Sequence, residues 1–386
     1  QANHMYLLVS GNGFGTGGIP RGIGEYIRTT VCLEVNERFK YAEIMRAAGT
    51  FAVPERGIKG RGIVSVGGRI LEFQAAAAGG WDRFSSSREL ERQCRKMDDV
   101  WTGKRPRLVP HIPDRLTFQE FKNTEPYRKM AAERRYLPLG YDQEDASICA
   151  VDLRRTFCWV IQGRDGTGKK NVMRILMNGA ACIKEARLYL IDFQDKGLAG
   201  EAKKLGAGYL GDEMAAYGFF KDSVDMVRAR SRKKRELEGK GMDQEETARQ
   251  MDEEPPVFIF LSDLAGFIEA VKHPAEGTGS MRAYLENITE KGSGLGIYFF
   301  GMLRPEDAAR VWNSRVFQNM AAYGTGIHLG GDVSGQRLFR FPDVPYTEQA
   351  KLQGPGTGWL PPAEGEQRTR KVVLPLVERR KEGDWQ

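Results

Sequence analysis

Residues 158–170, Cys-Trp-Val-Ile-Gln-Gly-Arg-Asp-Gly-Thr-Gly-Lys-Lys, run from an apolar stretch into a glycine turn that ends in two lysines. An apolar run of this kind, then spaced glycines, then a helical pattern, folds as a buried strand, a tight turn and a helix. In such a turn successive backbone N–H groups converge at the positive end of the helix, a concavity suited to phosphate. The pattern G-x-x-x-x-G-K-[ST] is met at Gly163, Gly168 and Lys169 and fails at Lys170, where a hydroxyl residue would hold Mg²⁺. An ammonium group only donates hydrogen bonds and repels a cation. The loop therefore marks Gly163, Arg164, Asp165, Gly166, Thr167, Gly168, Lys169 and Lys170 as nucleotide-phosphate contacts, with no metal ligand assigned.

The flanking sequence fits the same architecture. Residues 147–153 and 155–162 read as strands, 171–181 as a helix carrying Val172, Ile175, Leu176 and Met177, and 187–193 as a short apolar strand bounded by charge. A long amphipathic helix follows over 214–237, then a strand over 256–261, a helix over 277–291 and a strand over 297–301. Apolar strands alternating with helices imply an α/β fold with an open, mostly parallel sheet and helices on both faces.

A phosphate loop that hydrolyses its ligand needs a second strand whose end supplies a carboxylate for Mg²⁺ and a group for the attacking water. The strand Val257–Leu261 ends in Ser262-Asp263, so serine stands at the metal position and Asp263 at the catalytic one. Asp is a methylene shorter than Glu, and misalignment of that size costs orders of magnitude in rate. Asp263 is equally suited to capping the helix that follows, and the sequence leaves both roles open. Lys170 is open too: beside Lys169 it replaces the missing cation next to a bound anion, or it points to solvent.

Element order repeats along the chain. Met5–Ser10, Arg28–Val35, Lys59–Gly62 and Arg69–Gln74 recur as Ile297–Met302, Ala322–Leu329, Pro355–Gly358 and Lys371–Leu376, at offsets of 292, 294, 296 and 302 residues. Four matches in order favour an internal repeat over two unrelated sets of short strands. They imply that residues 5–75 are the tail half of a unit like the later one. The run Gly11–Gly18 reads as a flexible loop, because the third glycine of a dinucleotide fingerprint is displaced and Pro20 interrupts the helix that should follow. Residues 76–136 read as a linker with short helices near 87–97 and 117–121, broken by Pro106, Pro110, Pro113 and Pro126.

Composition narrows the chemistry further. Five cysteines without C-x-x-C spacing argue against a disulfide framework or a zinc site, and four scattered histidines against any metal centre. No apolar run is long enough to span a membrane. Gln1-Ala-Asn-His4 before Met5 reads as an expression-tag remnant. The net charge of +7 is mild, and the densest basic run, Arg228–Arg235, reads as a solvated helix face.

Taken together, Gly163–Lys170, Ser262–Ala265, Leu137–Asp142, Arg304-Pro305 and the glycine turns at 57–62 and 354–358 resemble the FtsK/SpoIIIE-type RecA-like ATPases, nearest the EssC/EccC motor of type VII (Esx) secretion. The resemblance implies a RecA-like P-loop fold, with residues 1–75 as tag remnant plus the tail segment of a preceding ATPase unit, 76–136 as linker and 137–386 as the terminal unit. It adds Arg304, which closes the sensor strand, to Asp263 as a catalytic candidate, and ATP as ligand. Lys170, Ser262 and Met302-Leu303, where a polar pair is usual, depart from the pattern on groups that handle Mg²⁺, water or the terminal phosphate. These departures point to a degenerate unit with a regulatory or substrate-docking role, weak or Mg²⁺-independent nucleotide binding and little or no hydrolysis. The alternatives are a slow ATPase that powers export, or a fragment of a DNA translocase. Implied partners are the other ATPase units of the motor and WXG-type secreted substrates, with DNA disfavoured. The implied location is the cytoplasmic part of a bacterial inner-membrane or plasma-membrane protein, anchored through N-terminal regions beyond this sequence.

Overall fold

The computed structural model describes residues 8–11, 19, 21–27, 29–47, 53–66, 68–76, 83–103, 112–363 and 365–378. The chain forms two compact units, Gln1–Arg107 and Leu108–Gln386.

The first unit contains α1 (Arg21–Gly24), β1 (Val31–Leu33), α2 (Arg38–Met45), β2 (Arg61–Val66), β3 (Arg69–Gln74) and α3 (Arg83–Val100). Strands β1, β2 and β3 form an antiparallel meander in which Leu33 lies opposite Gly62, and Gly62 opposite Phe73. Gly62 is required there, since a Cβ would come within 2.6 Å of the Cys32 carbonyl oxygen. Cys32 and Ile63 pack with Tyr41 and Met45 of α2 to form a small core. On the opposite sheet face Val31, Leu33, Val66 and Leu71 stay exposed, at 57%, 52%, 55% and 49%.

The second unit begins with α4 (Phe118–Asn123), α5 (Glu125–Ala132), β4 (Tyr136–Asp142), β5 (Ile148–Asp152), β6 (Cys158–Gly163), α6 (Lys169–Ala181), β7 (Arg187–Ile191), α7 (Ala199–Lys204) and β8 (Gly208–Leu210). It continues with α8 (Glu213–Gly239), α9 (Gln244–Met251), β9 (Val257–Leu261), α10 (Leu264–Lys272), α11 (Arg282–Lys291), β10 (Ile297–Leu303), α12 (Pro305–Val311), α13 (Arg315–Ala322), β11 (Gly326–Leu329), α14 (Tyr346–Gln349), β12 (Thr357–Leu360) and β13 (Arg370–Val373). One ten-stranded sheet runs in the order β5-β4-β13-β12-β11-β6-β10-β9-β7-β8. From β11 to β8 every pairing is parallel, while β12, β13, β4 and β5 extend the sheet antiparallel.

The sheet separates two cores. Helices α4 to α7 cover one face, where Val172, Met173, Leu176 and Tyr127 pack on Leu139, Phe260 and Phe300. Helices α8 to α13 cover the other, where Phe220, Phe267, Leu285 and Phe317 pack on Val160, Ile259 and Phe299. Every residue of β6, β9 and β10 is buried, as expected of central parallel strands covered on both sides. The Phe260 and Phe300 rings stack across β9 and β10 with centroids 5.5 Å apart.

The linker residues divide between the two units. Helix α3 belongs to the first, whereas α4 and α5 join the second, where Phe118, Phe121 and Tyr127 are buried and their rings pack edge to face. Pro126, taken from sequence as a breaker, sits in the first turn of α5, where a missing N–H costs nothing.

The repeated element order reappears as geometry. In the second unit Leu329 lies opposite Gly358, and Gly358 opposite Val372, the pairing that Leu33, Gly62 and Phe73 make in the first; strand pairing thus sets Leu33 and Phe73, rather than Val35 and Ile70, against Leu329 and Val372, and corrects two of the four matches in register. At Gly358 too a side chain is excluded, since a Cβ would meet Ile327 at 2.7 Å. Of the first repeat match, Met5–Ser10, residues 5–7 lie outside the described residues and 8–10 carry no strand.

The basic run of α8 differs from expectation. Arg230 is buried and donates to the carbonyls of Leu295, Gly296 and Pro255, Lys233 pairs with Glu254 at 2.6 Å, and Lys234 donates to the Ser293 carbonyl. Half the run is therefore a docked face. Counting charges along a helix does not tell which of them turn inward.

Candidate functional site

Strand β6 delivers Gly163 at its C-terminal end, and α6 starts from Gly168 as N-cap. Gly166 and Gly168 take φ values of +80° and +106°, left-handed conformations that only glycine adopts cheaply, with open space where a Cβ would stand. The loop closes on itself: the Thr167 hydroxyl donates to the Arg164 carbonyl at 2.8 Å. On one side it abuts the turn after β11, where a Cβ on Gly330 would lie 2.7 Å from the Thr167 methyl. Below it, buried His328 bridges the Gln162 side chain and the Gly331 carbonyl at 2.9 and 2.7 Å, and burial pushes its pKa down. His328 is thus a strut between β6 and that turn.

The two lysines diverge. Lys169 folds back onto the loop, donating to the carbonyls of Gly163 and Arg164 at 2.6 and 2.9 Å and to Asp165 Oδ1 at 3.1 Å. Lys170 turns the other way and pairs with Asp195, in the segment after β7, at 2.7 Å. It neither joins Lys169 nor points freely to solvent. Gly197 makes room for this, since a Cβ there would meet the Lys170 ammonium at 2.8 Å.

Arg304 follows β10 and pairs with Asp307 at 2.6 Å, with its guanidinium 3.9 Å from the Asp165 carboxylate. The fold thus brings the loop and Arg304 together. Asp263 ends β9 and caps α10, its carboxylate accepting from the Ala265 amide at 3.1 Å. Among the described residues no hydrogen bond or ion pair joins Asp263 to the loop.

One pair was not anticipated. Asp192 follows β7, is 1% exposed, and accepts from the buried Ser262 hydroxyl at 2.8 Å and from the Asp195 amide at 3.1 Å. Its second oxygen has no hydrogen-bond partner among the described residues. Ser262, at the position where a metal-holding carboxylate was expected, is therefore engaged as a donor. The available signal was an acid closing a buried apolar strand, at Ile191-Asp192. The loop's glycines, helix terminus and Lys169 suit a phosphate chain, whereas the Lys170 ammonium, which only donates, cannot hold Mg²⁺ where the pattern has a hydroxyl.

An open cavity of about 1230 Å³ lies at the opposite, N-terminal end of the parallel strands, near Thr156, Trp159 and Gly326. Six arginines and two acids line it. Arg135 is held by Asp152 through two hydrogen bonds of 2.8 and 2.5 Å, whereas Arg337 and Arg340 are exposed and form no ion pair with the described residues.

No protein-family model matches the chain. Two curated proteins are similar. ESX secretion system protein EccC of Geobacillus thermodenitrificans is 24% identical over 154 residues, 40% of this chain and 10% of that protein. Type VII secretion system protein EssC of Staphylococcus aureus is 22% identical over 193 residues, 50% and 12% respectively. The match thus spans about a tenth of each relative. Among solved structures, EssC (ATPases 2 and 3) from G. thermodenitrificans superposes with a TM-score of 0.64 at 18% identity, covering 94% of this chain and 64% of that one. Thermomonospora curvata EccC (ATPases 2 and 3) in complex with a signal sequence peptide gives 0.52 at 18% identity, covering 84% and 54%. The large, mostly parallel sheet and the phosphate loop make a RecA-like P-loop fold, and the two similar sequences make the chain similar to the ATPase units of EssC/EccC.

Proposed function

We propose that residues 137–386 act as a degenerate terminal ATPase unit of a type VII secretion motor, binding nucleotide weakly and without Mg²⁺ and serving regulation or substrate docking. The observation that carries this reading is the pairing of Lys170 with Asp195 and of Ser262 with Asp192, next to an intact glycine cradle. Both positions where a cation ligand would be expected carry a departing residue that a carboxylate of this chain engages, while the glycine cradle remains. ATP, when bound, would lie along residues 163–170 with its terminal phosphate towards Lys169 and Arg304. The test is phosphate release by the purified chain with ATP and Mg²⁺: wild type and Lys169→Ala should be indistinguishable. Sustained release that Lys169→Ala abolishes would favour a slow ATPase.

Substrate docking is assigned to the arginine-lined cavity. Its unpaired Arg337 and Arg340, beside Trp159 and Trp312, suit an acidic and aromatic signal segment, and a signal sequence peptide accompanies the T. curvata relative. The occupant would be the tail of a WXG-type secreted protein. Arg337→Glu together with Arg340→Glu should abolish its capture, and unchanged capture would remove the assignment.

Residues 1–75 are read as tag remnant and the tail of a preceding ATPase unit, with 76–136 as linker. Val31 and Leu33 on the exposed face of the first meander hold the positions of Ile327 and Leu329, which lie in the same buried cluster as Val172 and Met173 of α6. A corresponding helix from the rest of that preceding unit would cover them. On this reading the chain is a cytoplasmic part of a bacterial membrane-anchored motor whose anchor lies elsewhere in the full protein. No helix among the described residues is long and apolar enough to cross a membrane.

A further inference from the structure

Four cations surround the phosphate cradle, and each is met by a carboxylate of this chain. Arg164 pairs with Asp332 at 3.4 Å, Lys169 with Asp165 at 3.1 Å, Lys170 with Asp195 at 2.7 Å and Arg304 with Asp307 at 2.6 Å. Asp165 stands apart from the other three acids. It lies inside the loop, reaches both Lys169 and, at 3.9 Å, Arg304, and is 78% exposed. Lys169 is only 12% exposed, and its three N–H donors are matched by three acceptors, the Gly163 and Arg164 carbonyls and the Asp165 carboxylate. A phosphate that needs this ammonium has to take it from a partner, and Asp165 is the one partner free to swing into solvent.

We propose that Asp165 is a built-in competitor of the phosphate ligand, occupying Lys169 and the approach to Arg304 until a more highly charged anion displaces it. The hydrogen bond from Lys169 holds the Asp165 carboxyl below its ordinary range, so the competitor is charged at neutral pH. This deepens the nucleotide-binding reading and rests on it. Its consequence is selectivity. A single phosphate exchanges one anion for another at Lys169, whereas a triphosphate reaches Lys169, Arg304 and the N-terminus of α6 together.

The test is titration of inorganic tripolyphosphate and of orthophosphate, with EDTA present, into wild type, Asp165→Asn, Asp165→Ala and Lys169→Ala. Glu185→Gln serves as a charge-matched control, since Glu185 precedes β7 at the far end of the sheet and among the described residues pairs with Lys184 alone, at 3.6 Å. Both Asp165 variants should bind tripolyphosphate at least about tenfold more tightly than wild type, Glu185→Gln within about twofold of it, and Lys169→Ala not measurably. Thermal melts of each variant confirm that it is folded, and either Asp165 variant alone suffices. Equal or weaker binding by the Asp165 variants, with wild type still binding, overturns the competitor and leaves the nucleotide reading intact. Absence of binding by every folded protein overturns both.

Discussion

Replacing Lys170 by threonine restores the hydroxyl that the phosphate-loop pattern calls for and removes the ammonium that Asp195 now holds. The two side chains of that pair are 39% and 41% exposed, so its loss costs only about 0.2–1 kcal/mol. Threonine in the first turn of α6 adds up to about 0.7 kcal/mol of helix propensity. The sum, roughly 0.2–1.7 kcal/mol, lowers Tm by up to about 7 °C for a unit of this size, leaving the protein folded for binding assays. With the hydroxyl present and Asp195 released, Mg²⁺ gains a place beside the phosphates. ATP affinity of Lys170→Thr should then rise at least about tenfold, 1.4 kcal/mol, on going from EDTA to excess Mg²⁺, as read by isothermal titration. A variant that binds ATP equally well in both buffers would refute the view that Lys170 is what excludes the metal.

Two further outcomes follow from the packing. Phe260→Ala removes a fully buried ring stacked on Phe300 in the centre of the sheet, and should cost about 3–5 kcal/mol in denaturant unfolding; a loss below about 1 kcal/mol would mean that the ring is not packed in the core beneath α6. Glu254 accepts from Lys233, which holds its carboxyl below the ordinary 4.5. A depressed folded-state pKa stabilises above the unfolded value and ceases to do so as pH falls through the folded one. Glu254→Gln should therefore be less stable than wild type at neutral pH, by up to about 1 kcal/mol for so exposed a pair, and the gap should close below pH 4.5. A gap that persists unchanged into acid would contradict the pairing.

Much of the fold could be read along the chain because its signals are local. Three glycines, a lysine and a flanking apolar strand lie within thirteen residues, and β6, β9 and β10 announce burial through unbroken apolar runs. The meander repeat could be read because Gly62 and Gly358 each sit where a side chain would collide with a neighbouring strand. What could not be read were pairings that depend on where loops land. Lys170 meets Asp195 across 25 positions, and Ser262 meets Asp192 across 70. Those contacts show where the two side chains that depart from the phosphate-loop pattern are held. The cavity was invisible for the same reason, since Arg135, Arg337 and Arg370 come from separate segments. Pro126 misled because a proline in a first turn and a proline in a linker look alike in sequence.

On the proposed reading the chain holds a nucleotide through its phosphates without a divalent cation. Isothermal titration of ATP into the wild-type chain, once with excess Mg²⁺ and once with excess EDTA, tests it most directly. The two affinities should agree within about threefold, with no sustained phosphate release in the Mg²⁺ sample. Binding strengthened tenfold or more by Mg²⁺, accompanied by turnover, would contradict it.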